Sequence, residues 1–247
     1  MDQTGKLPHT STRGHNYQMV IHEINGNSTW VETMKNKTQG EMIKARRNAL
    51  NHMKLQGIVP LHQILDNEIS EDYKEGILTT KMYYQLVPPN DHLRNIAETE
   101  IQTWKNHFVG LISGTPATFP LNLWCQIISH AERQILLLSQ GNLNPKISSY
   151  AYAYGQHDYN DAPFVPIGME SLVHDKPNRR KTFTEHCKKG YVLGTSFEKY
   201  RAWKLWMKIP VPPEFQGLYS TSTNIFQTPM SPLPTPSLMQ RAIWPWH

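Results

Sequence analysis

The chain is poor in cysteine. Only Cys125 and Cys187 occur in 247 residues, and neither belongs to a C-x-x-C pair. That argues against a disulfide framework or a zinc knuckle, and makes a reducing compartment the expected setting. Long apolar runs are also missing. No stretch reaches the roughly 18 residues of a bilayer-spanning helix, and the polar N-terminus lacks a signal-peptide core. The twelve histidines form no H-x₃-H ladder. His22, His130, His157 and His186 are therefore expected to be structural or exposed rather than metal ligands. No internal repeat is found. Charged residues make up 18% of the chain and the net charge is +5, a mild excess that suits a polyanionic partner without being diagnostic of one.

What is present reads as a mixed α/β protein. Its 247 residues suit one large domain, or a core with a small module, and a hydrophobic share of 38% supports a real core. Residues 17–24 and 28–34 are β-rich, and Asn25-Gly26-Asn27 between them signals a hairpin. With a strand over residues 2–7 they predict a three-stranded antiparallel meander. Helices are expected over 38–56, 70–79 (with Ser70 as cap), 95–112 and 121–138, and strands over 61–65 and 82–87. The order βββ-α-β-α-β-α predicts a mixed sheet with flanking helices. After Asn144-Pro145, tyrosines and prolines crowd the chain. Short strand-like pieces then follow at 171–174, 189–193 and 201–207, the pattern of a small β-barrel. From residue 210 the Pro/Ser/Thr-rich sequence reads as an extended linker or disordered tail. The expected division is 1–145 core, 146–162 linker, 163–209 barrel and 210–247 tail.

Three acids stand where their carboxylates could meet. Asp2 opens the first strand, Asp66 ends the apolar run 61–65, and Glu98 lies near the start of the 95–112 helix. On that helix Ala97, Ile101, Trp104, Phe108 and Leu111 share an apolar stripe, and Glu98, Gln102 and Lys105 form a polar one beside it. Glu100 points elsewhere, so helical geometry favours Glu98. Converging carboxylates repel unless metal ions or raised pKa values compensate. Hard oxygen ligands suit Mg²⁺ or Mn²⁺, which support two-metal phosphoryl transfer. Each acid also has an ordinary reading: a solvated terminus for Asp2, a turn cap for Asp66, a dipole-favoured first-turn residue for Glu98. Arg179-Arg180-Lys181 and Lys188-Lys189 could follow a DNA backbone through counterion release, or be a solvated surface.

Taken in order, these segments resemble the integrase of copia-type retrotransposons. Asp2-Gln3-Thr4-Gly5-Lys6 resembles the segment of the first catalytic aspartate, and Ile64-Leu65-Asp66-Asn67-Glu68 that of the second. Asn95-Ile96-Ala97-Glu98 with Ile101-Gln102-Thr103-Trp104-Lys105 resembles the helix that carries the catalytic glutamate. Phe119-Pro120-Leu121-Asn122-Leu123-Trp124 and Asn144-Pro145-Lys146-Ile147-Ser148 continue the match. Val173-His174-Asp175-Lys176-Pro177 and Gly190-Tyr191-Val192-Leu193-Gly194-Thr195-Ser196 resemble the small barrel that follows the core. The resemblance covers about residues 2–207.

It implies an RNase H-like core followed by a small SH3-like β-barrel. It implies a catalytic and metal-binding triad of Asp2, Asp66 and Glu98 holding two Mg²⁺ or Mn²⁺ ions, with Gln102 and Lys105 approaching the DNA end. The implied activity is DNA integration: trimming of DNA ends, then attack of the 3′-hydroxyl on target DNA by a homo-oligomer. The implied location is the nucleus or a cytoplasmic virus-like particle, with no membrane association and no secretion. Three departures accompany the match. No upstream zinc module is seen, the Asp66–Glu98 interval is short, and Glu100 replaces a neutral or basic neighbour. With only Met1 ahead of Asp2, the resemblance implies a fragment of a polyprotein. A nucleic-acid-binding remnant without catalysis, and another RNase H-like nuclease, are the alternative readings.

Overall fold

The structure is a computed structural model. It describes residues 1–65, 70–87, 96–174, 182–183 and 185–207, and the backbone of Thr223–Gln227. The architecture is mixed α/β. Strands β1 (Asp2–Gln3), β2 (Tyr17–Glu23) and β3 (Ser28–Met34) form an antiparallel sheet in that order. Helix α1 (Gln39–Leu55) leads to β4 (His62–Leu65), α2 (Glu71–Leu78) and β5 (Tyr83–Leu86), and β4 pairs with β5 in parallel. Helices α3 (Ile96–Ser113), α4 (Trp124–Leu138) and α5 (Ser149–Tyr154) follow, with a 3₁₀ turn at Leu121–Leu123 opening α4. Strands β6 (Glu170–His174), β7 (Cys187–Ser196), β8 (Ala202–Met207) and β9 (Thr223–Gln227) make a second antiparallel sheet.

Period-two alternation along β2 and β3 decides the layers. Met19, Ile21, Trp30 and Met34 face α1 and pack on its Ala45, Ala49 and Met53. Val20 and Val31 face the other way, onto Ile101, Trp104 and Phe108 of α3 and Ile127, Ile128 and Ala131 of α4. Burying one large apolar side chain of the α3 stripe contributes roughly 1.5–3 kcal/mol before entropy is counted. The Trp104 indole N–H also donates to the Gln18 side chain at 2.7 Å, which satisfies its polar edge inside the core. The hairpin turn at residues 24–27 is held by Glu23, whose carboxylate accepts from the Asn25 and Gly26 amides, each at 2.8 Å.

Several boundaries differ from the sequence expectation. Strand β1 is two residues long rather than six; past Gly5 the chain keeps only the Leu7 N–H to Asn16 bond alongside β2. Ser70 occupies the cap position of α2, but its side chain makes no cap bond; its carbonyl accepts from Tyr73 and Lys74 instead. Helix α5 lies in the stretch expected to be linker, and there Ser148 does cap, accepting from the Ala151 amide at 3.1 Å. Thr223–Gln227, within the expected tail, pairs with β8.

The second sheet is not closed into a barrel among the described residues. It shares the main core through Leu193, Tyr191 and Trp206, which pack with α3 and α4. Strand β7 bulges between Val192 and Gly194. Gly194 sits at φ +143 with its α-carbon against the His130 ring, where an added Cβ would lie 2.7 Å from Nδ1.

Candidate active site

Among the described residues, no strand pairing joins the three-stranded sheet to the β4–β5 pair, and Met1 bridges them. Its sulfur accepts from the Gln63 side chain of β4 at 3.3 Å and from the Tyr73 hydroxyl of α2 at 3.0 Å. Arg46 of α1 fixes the placement of β4. Its guanidinium, 3% exposed, donates to the Gln63 side chain at 2.8 Å, the Thr80 hydroxyl at 3.1 Å and the Gly76 carbonyl at 3.4 Å. A cleft of about 440 Å³ remains between the end of β2 and β4, floored by α1 and closed by the first turn of α3.

Asp2 is half-buried on β1, opposite Val20, and its carboxylate accepts the Gln3 amide at 2.6 Å. Glu98 is exposed in the first turn of α3, the helix that packs against β1 and β2. Asp66 lies outside the described residues, one position after the last residue of β4. Met1, Leu65 and Ala97, the residues that precede Asp2, Asp66 and Glu98, line the same cleft, but Asp2 and Glu98 themselves are not among its lining residues. Gln102 is exposed and donates to Asn106 at 2.9 Å, and Lys105 is half-buried one turn further on. Glu100 turns to the sheet: it accepts from the Thr29 hydroxyl at 3.3 Å and lies 3.6 Å from His22 Nδ1. Burial lowers the His22 pKa against the attraction of that carboxylate. Helical geometry had separated Glu100 from Glu98 in the same sense.

Asp2 and Glu98 offer the hard oxygen donors that Mg²⁺ or Mn²⁺ prefers. Among the described residues, no three His, Cys, Asp or Glu side chains group closely enough to hold an ion. Arg179, Arg180 and Lys181 also lie outside the described residues.

A second polar pocket, about 350 Å³, opens on α4. There the Glu132 carboxylate accepts the Val31 amide at 2.9 Å, and burial pushes its pKa up to about 8. Nearby, His52 pairs with Glu32 at 3.1 Å and its pKa is raised by that hydrogen bond. Glu132 follows Cys125 and Ile128 at seven and four residues, on an otherwise apolar stripe. That spacing is the sequence signal that could have marked it. Of the histidines, His130 is buried (2% exposed) and His157 sits among the rings of Tyr150, Tyr159 and Phe164. Cys125 is buried and Cys187 lies 3.4 Å from His174 Nδ1. No helix among the described residues is long and apolar enough to cross a membrane.

The sequence matches no known family model and no curated protein. Among solved structures, the chain is similar to a chain in the cryo-EM structure of the simian T-cell lymphotropic virus intasome in complex with PP2A regulatory subunit B56 gamma. Identity is 15%, the TM-score is 0.46, and the overlap covers 85% of this chain and 75% of that one.

Proposed function

We propose that the protein is an integrase-type DNA strand transferase of the copia class, with an RNase H-like core in which Asp2, Asp66 and Glu98 form a two-metal site. The observation that supports this reading is that the segments carrying the three acids, far apart in sequence, come together at one cleft, bordered by the residue before each acid though not by Asp2 or Glu98 themselves. The antiparallel β1–β3 unit and the parallel β4–β5 unit, covered by helices, suit a mixed sheet of that kind. On this reading the four-stranded sheet β6–β9 corresponds to the SH3-like module.

Bound Mg²⁺ or Mn²⁺ supplies Lewis acidity for water or a 3′-hydroxyl and neutralises charge on the phosphate. The chain's own residues hold and orient. Asp2 stands on a strand and Glu98 on a helix anchored by Ile101 and Trp104, so each carboxylate rises from a rigid element. Gln102 and Lys105, one and two turns along α3 from Glu98, are placed to meet DNA phosphate oxygens. Joining two DNA ends to one target calls for a multimer. A nucleic-acid-binding protein without a working metal site is the second reading. It is favoured by Asp2 and Glu98 not being among the residues that line the cleft.

A strand-transfer assay with Mn²⁺ and a labelled DNA end separates the two. The first reading expects end-joined product that disappears in Glu98→Gln while DNA binding persists. Salt-sensitive DNA binding with no product under any metal condition supports the second and removes the first.

A further inference from the structure

We infer that the pocket along the outer edge of β3 binds a small phosphate monoester with an apolar body. The inference does not depend on the metal-site reading, because neither Asp2 nor Glu98 lines this pocket.

Strand β3 is the outer strand of its sheet, and backbone groups along a strand point alternately to its two sides. The Val31 amide points away from β2 and is taken by the Glu132 carboxyl of α4 at 2.9 Å. That bond uses one carboxyl oxygen, and among the described residues no hydrogen bond engages the other. Beside it lies the pocket of about 350 Å³, walled by β3, α1, α4 and strands β7 and β8 of the second sheet. Such a volume sits near the lower end of the range for small-molecule sites, roughly 300–1,000 Å³. Val31, Ile128 and Leu193, all buried, supply its apolar floor.

Charge decides the ligand. Arg13 from the loop before β2, His52 from α1 and Lys204 from β8 bring three basic side chains to the pocket from distant parts of the sequence. Glu32 lines it too, but it lies 3.1 Å from His52 Nδ1 and pairs with that ring. Arg13 and Lys204 have no ion-pair partner among the described residues. Burial pushes the Glu132 pKa up to about 8, so at pH 7 its carboxyl is neutral and can donate through the oxygen that Val31 does not use. Two uncompensated cations beside a neutral donor match a dianion. A phosphate monoester carries about −1.5 to −2 charges at pH 7 and accepts hydrogen bonds strongly from guanidinium and ammonium groups. A carboxylate would leave one of the two cations without a countercharge. The apolar floor selects an ester with an apolar group over inorganic phosphate.

The probe is phenyl phosphate, with benzyl alcohol as the uncharged control and inorganic phosphate as the control without an apolar group. Binding to the full chain is followed through the amide NMR signals of Val31, Ser129 and Leu193. Phenyl phosphate at millimolar concentration should shift all three saturably at pH 7. Benzyl alcohol should not, and inorganic phosphate should bind more weakly. Arg13→Gln and Lys204→Gln should each weaken binding about fivefold. Arg13 is exposed, so its variant tests the charge with the fold intact. Raising the pH from 7 to 9 removes the Glu132 proton, and the resulting carboxylate repels the phosphate. Glu32, His52, Arg133 and Tyr154 act on Glu132 electrostatically, and Arg13, Lys204 and Cys125 share its pocket. Loss of the His52 proton works in the same sense, so the readout is the difference from Glu132→Gln, whose amide cannot ionise. Over that range the wild type should lose about threefold more affinity than the variant. No saturable shift with phenyl phosphate, equal binding of benzyl alcohol, unchanged affinity in Arg13→Gln and Lys204→Gln, or equal pH losses in the wild type and Glu132→Gln overturns the inference. Displacement of phenyl phosphate by a DNA duplex without terminal phosphates assigns the pocket to the DNA backbone, and likewise overturns the assignment to a small ester.

Discussion

Lowering the pH should loosen the joint between the core and the second sheet through a single ring. His130 of α4 is 2% exposed, and its Nδ1 accepts the Thr195 amide of β7 at 3.2 Å. Burial, aided by the fields of His107 and Lys204, pushes its pKa down to about 4. Protonation would set an N–H against the Thr195 N–H, with Gly194 packed on the ring and no room to turn. The folded state thus resists a proton that the unfolded chain accepts from about pH 6.5 downward. Stability from this group is complete above pH 6.5 and falls as the pH drops toward 4. At about 1.4 kcal/mol per unit, the loss between pH 7 and pH 5 is about 2 kcal/mol. Other histidines with lowered pKa, His15, His22, His107 and His157, add to the total acid sensitivity. The informative quantity is therefore the difference from His130→Asn, whose side-chain oxygen can still accept from Thr195 but does not titrate. Urea unfolding at pH 7 and pH 5 should show the wild type losing about 2 kcal/mol more than the variant. Equal losses in the two proteins would refute the reasoning.

Three further outcomes follow from the packing. Gly194→Ala forces a Cβ onto His130 at a positive φ and should lower stability by about 2 kcal/mol or more in chemical denaturation. Arg46→Met removes the donor set that joins α1 to Gln63, Gly76 and Thr80. It should cost about 2–4 kcal/mol and raise amide exchange first in β4 and α2, read by hydrogen exchange. Glu132→Gln keeps an acceptor for the Val31 amide but cannot ionise. The wild type should lose stability relative to it as pH rises from about 4.5 to 8, because the folded carboxyl holds its proton while the unfolded one releases it. Denaturation at pH 5 and pH 8 measures that difference.

The elements that follow local pattern were the legible ones. β-rich composition marked β2 and β3, the Asn25-Gly26-Asn27 signal marked their turn, and the 3.6-residue stripe of Ile101, Trp104 and Phe108 marked α3. What escaped depends on partners distant in sequence. Strand β9 exists by pairing with β8, in a stretch whose composition reads as linker. The Gly194 bulge is set by a ring 64 positions earlier. Arg46 looks like an ordinary helix cation, and its burial is decided by Gln63 and Thr80. At the site, residue types proposed Asp2, Asp66 and Glu98. The fold puts their preceding residues around one cleft, but Asp2 and Glu98 are not among its lining residues and Asp66 lies outside the described residues. Ile24, Val59 and Ile96, exposed and lining that cleft, could not be grouped from sequence because they belong to three separate segments.

Mn²⁺ binding in the presence of DNA tests the central claim most directly. Such ions keep several waters and rely on substrate phosphates to complete their shell. Calorimetric titration of Mn²⁺ into the protein bound to a short DNA duplex should give clearly tighter binding than into the protein alone, and Asp66→Asn and Glu98→Gln should each remove that gain while the DNA affinity in EDTA stays the same. Equal Mn²⁺ affinity in the wild type and both variants would contradict a metal site built from these carboxylates.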